Sequence, residues 1–418
     1  MGVTIGHKHG QAIRLIVLAA LVCVGCNEQP PSSVYDPGYA SPRPQPLIGG
    51  IAPAVGLANV SSITIVGHNF DPDPSHNLVF FDNVFVPVLM ADSTHLQMKA
   101  PDLPKDSIAV KIGVYRAYLY SDVYYYQLTP AATEIGNFQP GEQPAGIECD
   151  SAGNVYVSVA RIPSSASGVF RIAASGTRSL YSPAFASAVA AYGSMKSGPA
   201  GALFCVAARN IIFRIPPGGG AASIWLSGTA ENGLTALYDM DFDRNGNIWA
   251  AGPPAGTTDD NTIFRIAGDK SVRGFPFSGL VRAIRVFNGS VFVAGRRSAL
   301  EKIWRLPILS SDSLGAEQEY FNYSSVSSHG AISAITFGAD GDLYVGTDAN
   351  EAILIVHSTG VSEPLYPGVI SPGTVSLSWG KGTELMQSRI SSAAGVSSTV
   401  VRINMLKSGA PYYGRALP

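Results

Sequence analysis

Asp150-Ser151-Ala152-Gly153-Asn154-Val155-Tyr156-Val157, followed after a polar gap by Val169-Phe170-Arg171-Ile172, is the phrase on which the chain turns. Asp, Gly and Asn favour a tight turn, because Gly supplies positive φ and the short amide and carboxylate side chains bond their own backbone. The residues after them alternate as a half-buried strand does. The phrase returns as Asp243-Arg-Asn-Gly246-Asn247-Ile248-Trp249 with Ile263–Ile266, and as Asp340-Gly341-Asp342-Leu343-Tyr344-Val345 with Ile353–Val356. Weaker copies surround Gly201, Gly289 and Gly382. The turn glycines at 153, 201, 246, 289, 341 and 382 are separated by 48, 45, 43, 52 and 41 residues. Units of this length with four strand-like runs each are propeller blades, so residues 143–418 are expected to form six.

The remainder of the 418-residue chain divides by composition. Residues 1–25 carry Lys8 and Arg14 ahead of the mostly apolar run Leu15–Gly25, about half the ~20 residues a spanning helix needs. That pattern is an exported leader. Residues 26–45 are polar and broken by Pro30, Pro31, Pro37, Pro42 and Pro44, an extended tether with nothing to bury. Residues 46–130 hold short alternating runs at sandwich spacing, from Ile63-Thr-Ile-Val66 to Val123-Tyr-Tyr-Tyr126. Residues 131–142 read as a linker, with Thr133–Phe138 either a connecting strand or a partner of the last blade. The fold class is therefore all-β, an Ig-like sandwich followed by a six-bladed propeller.

Three resemblances sharpen this reading. Gly25-Cys26 after the apolar run resembles a bacterial lipobox, which implies cleavage before Cys26, lipidation of its thiol and anchorage in the outer membrane of the cell envelope. The Pro-marked first strand, Gly67-His-Asn-Phe70, Val79-Phe-Phe81, Thr94-His-Leu96 and the Tyr-rich last strand resemble the IPT/TIG Ig-like module. The Asp-x-x-Gly-Asn-x-Tyr-Val phrase resembles NHL-type six-bladed propellers.

Chemistry is harder to place. Aligning Ile147, Met240, Ile284, Ile335 and Leu377 as buried positions of the inner strands brings Glu148, Asp241, Arg285, Thr336 and Ser378 into register. Inner strands line the central channel, so these are the candidate ligand contacts. Glu148 and Asp241 could hold Ca²⁺ or Mg²⁺, with Arg285 the alternative neutralising partner. Gluconolactonase-like propellers use a Glu, Asn and Asp set around a channel metal, but no matching Asn accompanies these two carboxylates. Streptogramin-lyase-like propellers use a channel His, and the flanks of His329 do not match theirs. The turn acids lack the dense oxygen spacing of a calcium loop. The repeated Arg171, Arg214, Arg265, Arg305 and Arg402 point to one structural task repeated in each blade. Cys149 and Cys205 are expected as buried thiols, with a disulfide across the blade interface the alternative if their Cα atoms lie within ~7 Å. A net charge of −2 with 14% charged residues gives no footprint for nucleic acid.

The expected role is binding of a glycan, peptide or envelope protein on a propeller face. The rivals are a metal-dependent hydrolase or lyase in the channel and a passive scaffold. An exposed Trp or Tyr platform would favour the glycan; converging carboxylates with an Asn or His would favour the enzyme.

Overall fold

A computed structural model describes residues 42–161, 166–185, 189, 191–254, 261–327, 330–391 and 396–413. The candidate lipidation site Cys26, the leader, most of the tether and His329 lie outside the described residues.

Residues 47–129 form a two-sheet sandwich. One sheet is ordered Leu47–Ala52, Ser62–His68, His95–Lys99, Met90–Ala91; the other is Val55–Leu57, Tyr124–Thr129, Lys105–Val114, Asn77–Phe81, Val84–Val86. Strict alternation decides which side chains go inside, since successive residues of a strand face opposite ways. Ile63, Ile65, Val79, Phe81, Leu96, Met98, Ile108, Val110 and Ile112 are all fully buried and form one core. The first strand changes sheets at Pro53, which has no amide to give either ladder. Its carbonyl accepts from the Tyr126 hydroxyl at 2.9 Å, tying the crossing to the last strand.

Six sheets follow in a ring, each of four strands except the fourth, which gains a fifth in the short Ser313–Leu314. All six turn glycines lie in the left-handed region, with φ of 89°, 71°, 77°, 70°, 87° and 65° in chain order, so each is required where it stands. Six apolar clusters join successive blades, and one of them packs Ile147 and Val157 of blade one against Met386 and Val400 of blade six. The ring is closed.

Of the two readings of Thr133–Phe138, the structure shows the partner of the last blade. Ala132–Ile135, inside the stretch read as a linker, is the outer strand of blade six, paired antiparallel with Thr399–Asn404 from Ala132 opposite Ile403 to Ile135 opposite Val400. Glu134 is held there by Arg389 at 2.5 Å. The run Pro411-Tyr412-Tyr413, although a Pro and two tyrosines suit an edge strand, instead leaves the sheet and crosses the channel. Pro130 and Ala131 alone separate the sandwich from the ring, and the Ala131 carbonyl accepts from the Asn404 amide at 2.9 Å. Cys149 and Cys205 are buried free thiols.

Candidate functional site

The inner strands are Gln143–Cys149, Ser194–Ser197, Asp239–Phe242, Leu280–Phe287, Ile332–Phe337 and Thr374–Trp379. Each presents one buried polar side chain directly after a buried apolar one, which gives Glu148, Lys196, Asp241, Arg285, Thr336 and Ser378. The last five line one chamber at the centre of the ring. Lys196 is the member that the sequence alignment lacked. A count of six residues back from the turn glycine finds Ile147, Met240 and Ile335, and from Gly201 it finds Met195, with Lys196 next.

The charged members are engaged with one another. Glu148 is fully buried; its Oε1 accepts from the Ser197 amide at 3.1 Å. Its Oε2 lies 3.5 Å from Lys196 Nζ and accepts from the Ser378 hydroxyl at 3.3 Å. Asp241 Oδ2 accepts from the Val286 amide at 2.9 Å. Asp239, two residues earlier and likewise missed in the sequence, accepts from the Ile284 amide at 2.8 Å and pairs with Arg285 at 2.7 Å. In every case a carboxylate of one blade satisfies an amide of the next inner strand, work that a buried strand edge demands.

Burial pushes the Glu148 carboxyl up, and the Lys196 charge and the Ser197 amide pull it back only in part. Asp241 is raised in the same way against Lys196 and Arg285. Burial works to lower Arg285, but Asp239 and Asp241 more than offset it and hold the guanidinium above its usual range. Three carboxylates face two cations, and burial beside that excess of negative charge raises the proton affinity of Glu148 and Asp241.

The donor set does not fit the divalent ion expected of Glu148 and Asp241. Calcium takes six to eight oxygens. Among the described residues no group of three or more His, Cys, Asp or Glu side chains is placed to hold a metal. Lys196 and Arg285 occupy the positions a metal would neutralise. The space open to the centre of a water molecule in the chamber is about 30 Å³, room for two or three waters.

The other repeated residues have structural work. Asp150 accepts from the Asn154 amide at 2.9 Å, the Asn154 side chain at 2.7 Å and the Tyr156 hydroxyl at 3.0 Å. Asp243 holds Asn247 and the Trp249 indole in the same manner. Arg265 donates to Asn247 at 2.9 Å, Arg305 to Ser290 at 3.0 Å, and Arg402 lies 3.5 Å from Glu384. Each joins the third strand of its blade to the second, within the blade rather than between blades.

A second surface carries no signature in chain order. On the outer face of the larger sandwich sheet, Phe80 stands opposite Phe85 on one side and Lys111 on the other, with Tyr125 opposite Ala109. Tyr120 lies over Gly113 and meets Phe80 edge-on at 6.3 Å. Tyr125 is 69% exposed, and Phe85, Tyr115, Tyr118 and Tyr120 are each more than half exposed.

Fold and ring together define an all-β protein in which an Ig-like module precedes a six-bladed propeller. Residues 46–128 match the IPT/TIG domain family. No curated protein sequence matches the chain. Among solved structures, a structural genomics protein of unknown function from Bacteroides thetaiotaomicron is 12% identical, with a TM-score of 0.50, over 88% of this chain and 99% of that one. Regucalcin from Agrobacterium tumefaciens, described as calcium-binding, is 11% identical with a TM-score of 0.52 over 68% of this chain and 96% of its own. An auxiliary nutrient binding protein from Bacteroides thetaiotaomicron is 10% identical, with a TM-score of 0.48, over 88% of this chain and 98% of that one. At these identities the likeness is one of fold alone.

Proposed function

We propose that the protein is a lipid-anchored component of the cell envelope that acts by binding, and that its ligand is a glycan. The observation that carries this reading is the exposed aromatic face of the Ig-like module. Sugar rings present C–H faces that pack on flat aromatic rings, and their hydroxyls need donors and acceptors beside them. Tyrosine supplies both from one rigid side chain at small entropic cost. Here Tyr125, Tyr120 and Phe85 give the flat surfaces, while the tyrosine hydroxyls, Gln127 and Lys111 supply polar partners. Lys111 forms no ion pair among the described residues, so its donors are open to a ligand. The contact surface is thus moved from the propeller, where the sequence reading put it, to the module.

The channel supports a hydrolase or lyase less well. Its carboxylates are already bonded to cations and amides, and a chamber for two or three waters leaves no room for a substrate beside them. Electrophoresis of the protein from Pro42 onward through gels containing single soluble polysaccharides tests the binding. Retardation by at least one, lost in Tyr125→Ala/Phe85→Ala with an unchanged melt, is expected; migration unaffected by a broad polysaccharide panel would contradict it.

A further inference from the structure

The C-terminal residues carry a device that neither the ring nor the aromatic face requires. After the last blade strand, Lys407 is fixed to the turn of blade five through Asp340 at 2.7 Å and Asp342 at 2.8 Å. The Ser408 carbonyl accepts from the Ala339 amide at 3.0 Å, Gly409 bridges Gly338, and the Ala410 amide donates to the Phe337 carbonyl at 2.9 Å. Tyr412 then donates to the Trp379 carbonyl of blade six at 2.7 Å and to the Cys149 carbonyl of blade one at 3.3 Å. Tyr413 stacks on Phe242 of blade three at 5.3 Å. The segment therefore spans the ring at the end where the inner strands finish, touching four blades. Ala410, Pro411 and Tyr412 are themselves wall of the polar chamber.

We propose that Ser408–Tyr413 is a strap that plugs one mouth of the central channel, a seal separate from the closure of the ring. Closure already has its own device in the outer strand Ala132–Ile135, which lies at the far edge of blade six from the axis. The strap makes few backbone bonds to the blades and no ladder, so it can leave without breaking a sheet. Its position keeps bulk water from the ring of Glu148, Lys196, Asp241 and Arg285, and anything reaching those side chains enters by the opposite mouth.

Gly409 shows how closely the seal is seated, since a Cβ there would stand 2.1 Å from Cγ of Trp379. Trp379 is 1% exposed, packed between blades five and six with one face under the strap. Trp249 and Trp304 are buried between blades away from it, and the half-buried Trp225 of blade two gives a constant background. Acrylamide quenching of tryptophan emission therefore reads the plug. A protein ending at Lys407 should keep a cooperative β-rich melt at a lower temperature and show increased quenching, and the increase should vanish when Trp379→Phe is added. A folded truncated protein quenched no more than the full chain overturns the proposal. Should the truncated protein not melt cooperatively, Gly409→Val decides with the chain intact. Increased quenching in a folded variant supports the plug; unchanged quenching overturns it.

Discussion

Lys196 and Arg285 are the residues on which the ring's charge balance rests. Removing one partner of a buried pair leaves the other charged and desolvated, which typically costs about 3–5 kcal/mol. Lys196→Met should lower the stability by about that much in urea unfolding, and Glu148→Gln/Lys196→Met should recover part of the loss. A single variant as stable as the parent would mean that Lys196 bears no charge load. Because Lys196 and Arg285 already pair with Glu148 and Asp239, millimolar calcium or magnesium should leave the melting temperature unchanged. A cation-dependent rise that Glu148→Gln/Asp241→Asn abolishes would reinstate a metal centre. Five of the six ring members were legible in the sequence from the apolar residue before each. Lys196 was not, because Ser194-Met-Lys-Ser197 is four residues between glycines, with no alternation to mark it as a strand.

The same residues set a pH dependence. Glu148 and Asp241 are raised by burial, so the folded state binds their proton more tightly than the unfolded chain, and stability falls as pH rises above 4.5, the ordinary Glu value. Although burial opposes it, His357 is held above 6.5 by Asp342 and Glu363, so its contribution is complete below that value and is lost as pH rises through the folded pKa. In the other direction, Asp82 is lowered by Lys105 and the Ala109 amide, and Asp92 to about 2 by the Thr94 amide and hydroxyl. Their stabilisation is present above 3.8 and lost as pH falls through the lowered values. The melting temperature should therefore fall as pH drops below 3.8, and fall again as pH rises above 4.5, more steeply above 6.5. A melt that goes on rising to about pH 8, or an alkaline limb not flattened by Glu148→Gln, would contradict the charge assignment.

Among the elements, Ala132–Ile135 decides whether the ring closes. Without it Thr399–Asn404 becomes an open edge, a template for pairing with another chain. A protein beginning at Ala131 should give a cooperative β-rich melt, and one beginning at Gly136 should melt lower and associate in sedimentation. Equal behaviour of the two would show that the strand is dispensable. The blade period, the turns and the second and third strands were legible because local patterning specifies them. The partner of an outer strand was legible only as one of two alternatives for Thr133–Phe138, since the pairing of Ala132 with Ile403 spans the whole ring and leaves no local mark. Two adjacent tyrosines after Pro411 read as an edge strand for the same reason. What they pack on, Phe242 and the Trp379 carbonyl, lies far away in sequence.

For the whole molecule, two units are joined through Pro130 and Ala131. The sandwich core draws only on residues 48–128, so loss of the module should leave the ring folded. The anchorage proposed for Cys26 rests on the apolar run Leu15–Gly25, the Gly25-Cys26 pair and the Pro-rich tether after it; Cys26→Ser should move the protein from membranes to the soluble fraction, and membrane retention after a salt wash would refute it. The aromatic face escaped the sequence reading because its parts come from four strands and a loop. Only the register of Phe80, Lys111, Ala109 and Tyr125 brings them onto one surface. The most direct test of the central claim is isothermal titration of one retarding polysaccharide into three proteins: the parent from Pro42, Tyr125→Ala/Phe85→Ala, and Thr336→Val/Ser378→Ala. The account predicts that the module variant loses binding at least tenfold while the channel variant binds as the parent does. Binding that survives in the module variant and is lost in the channel variant would contradict it.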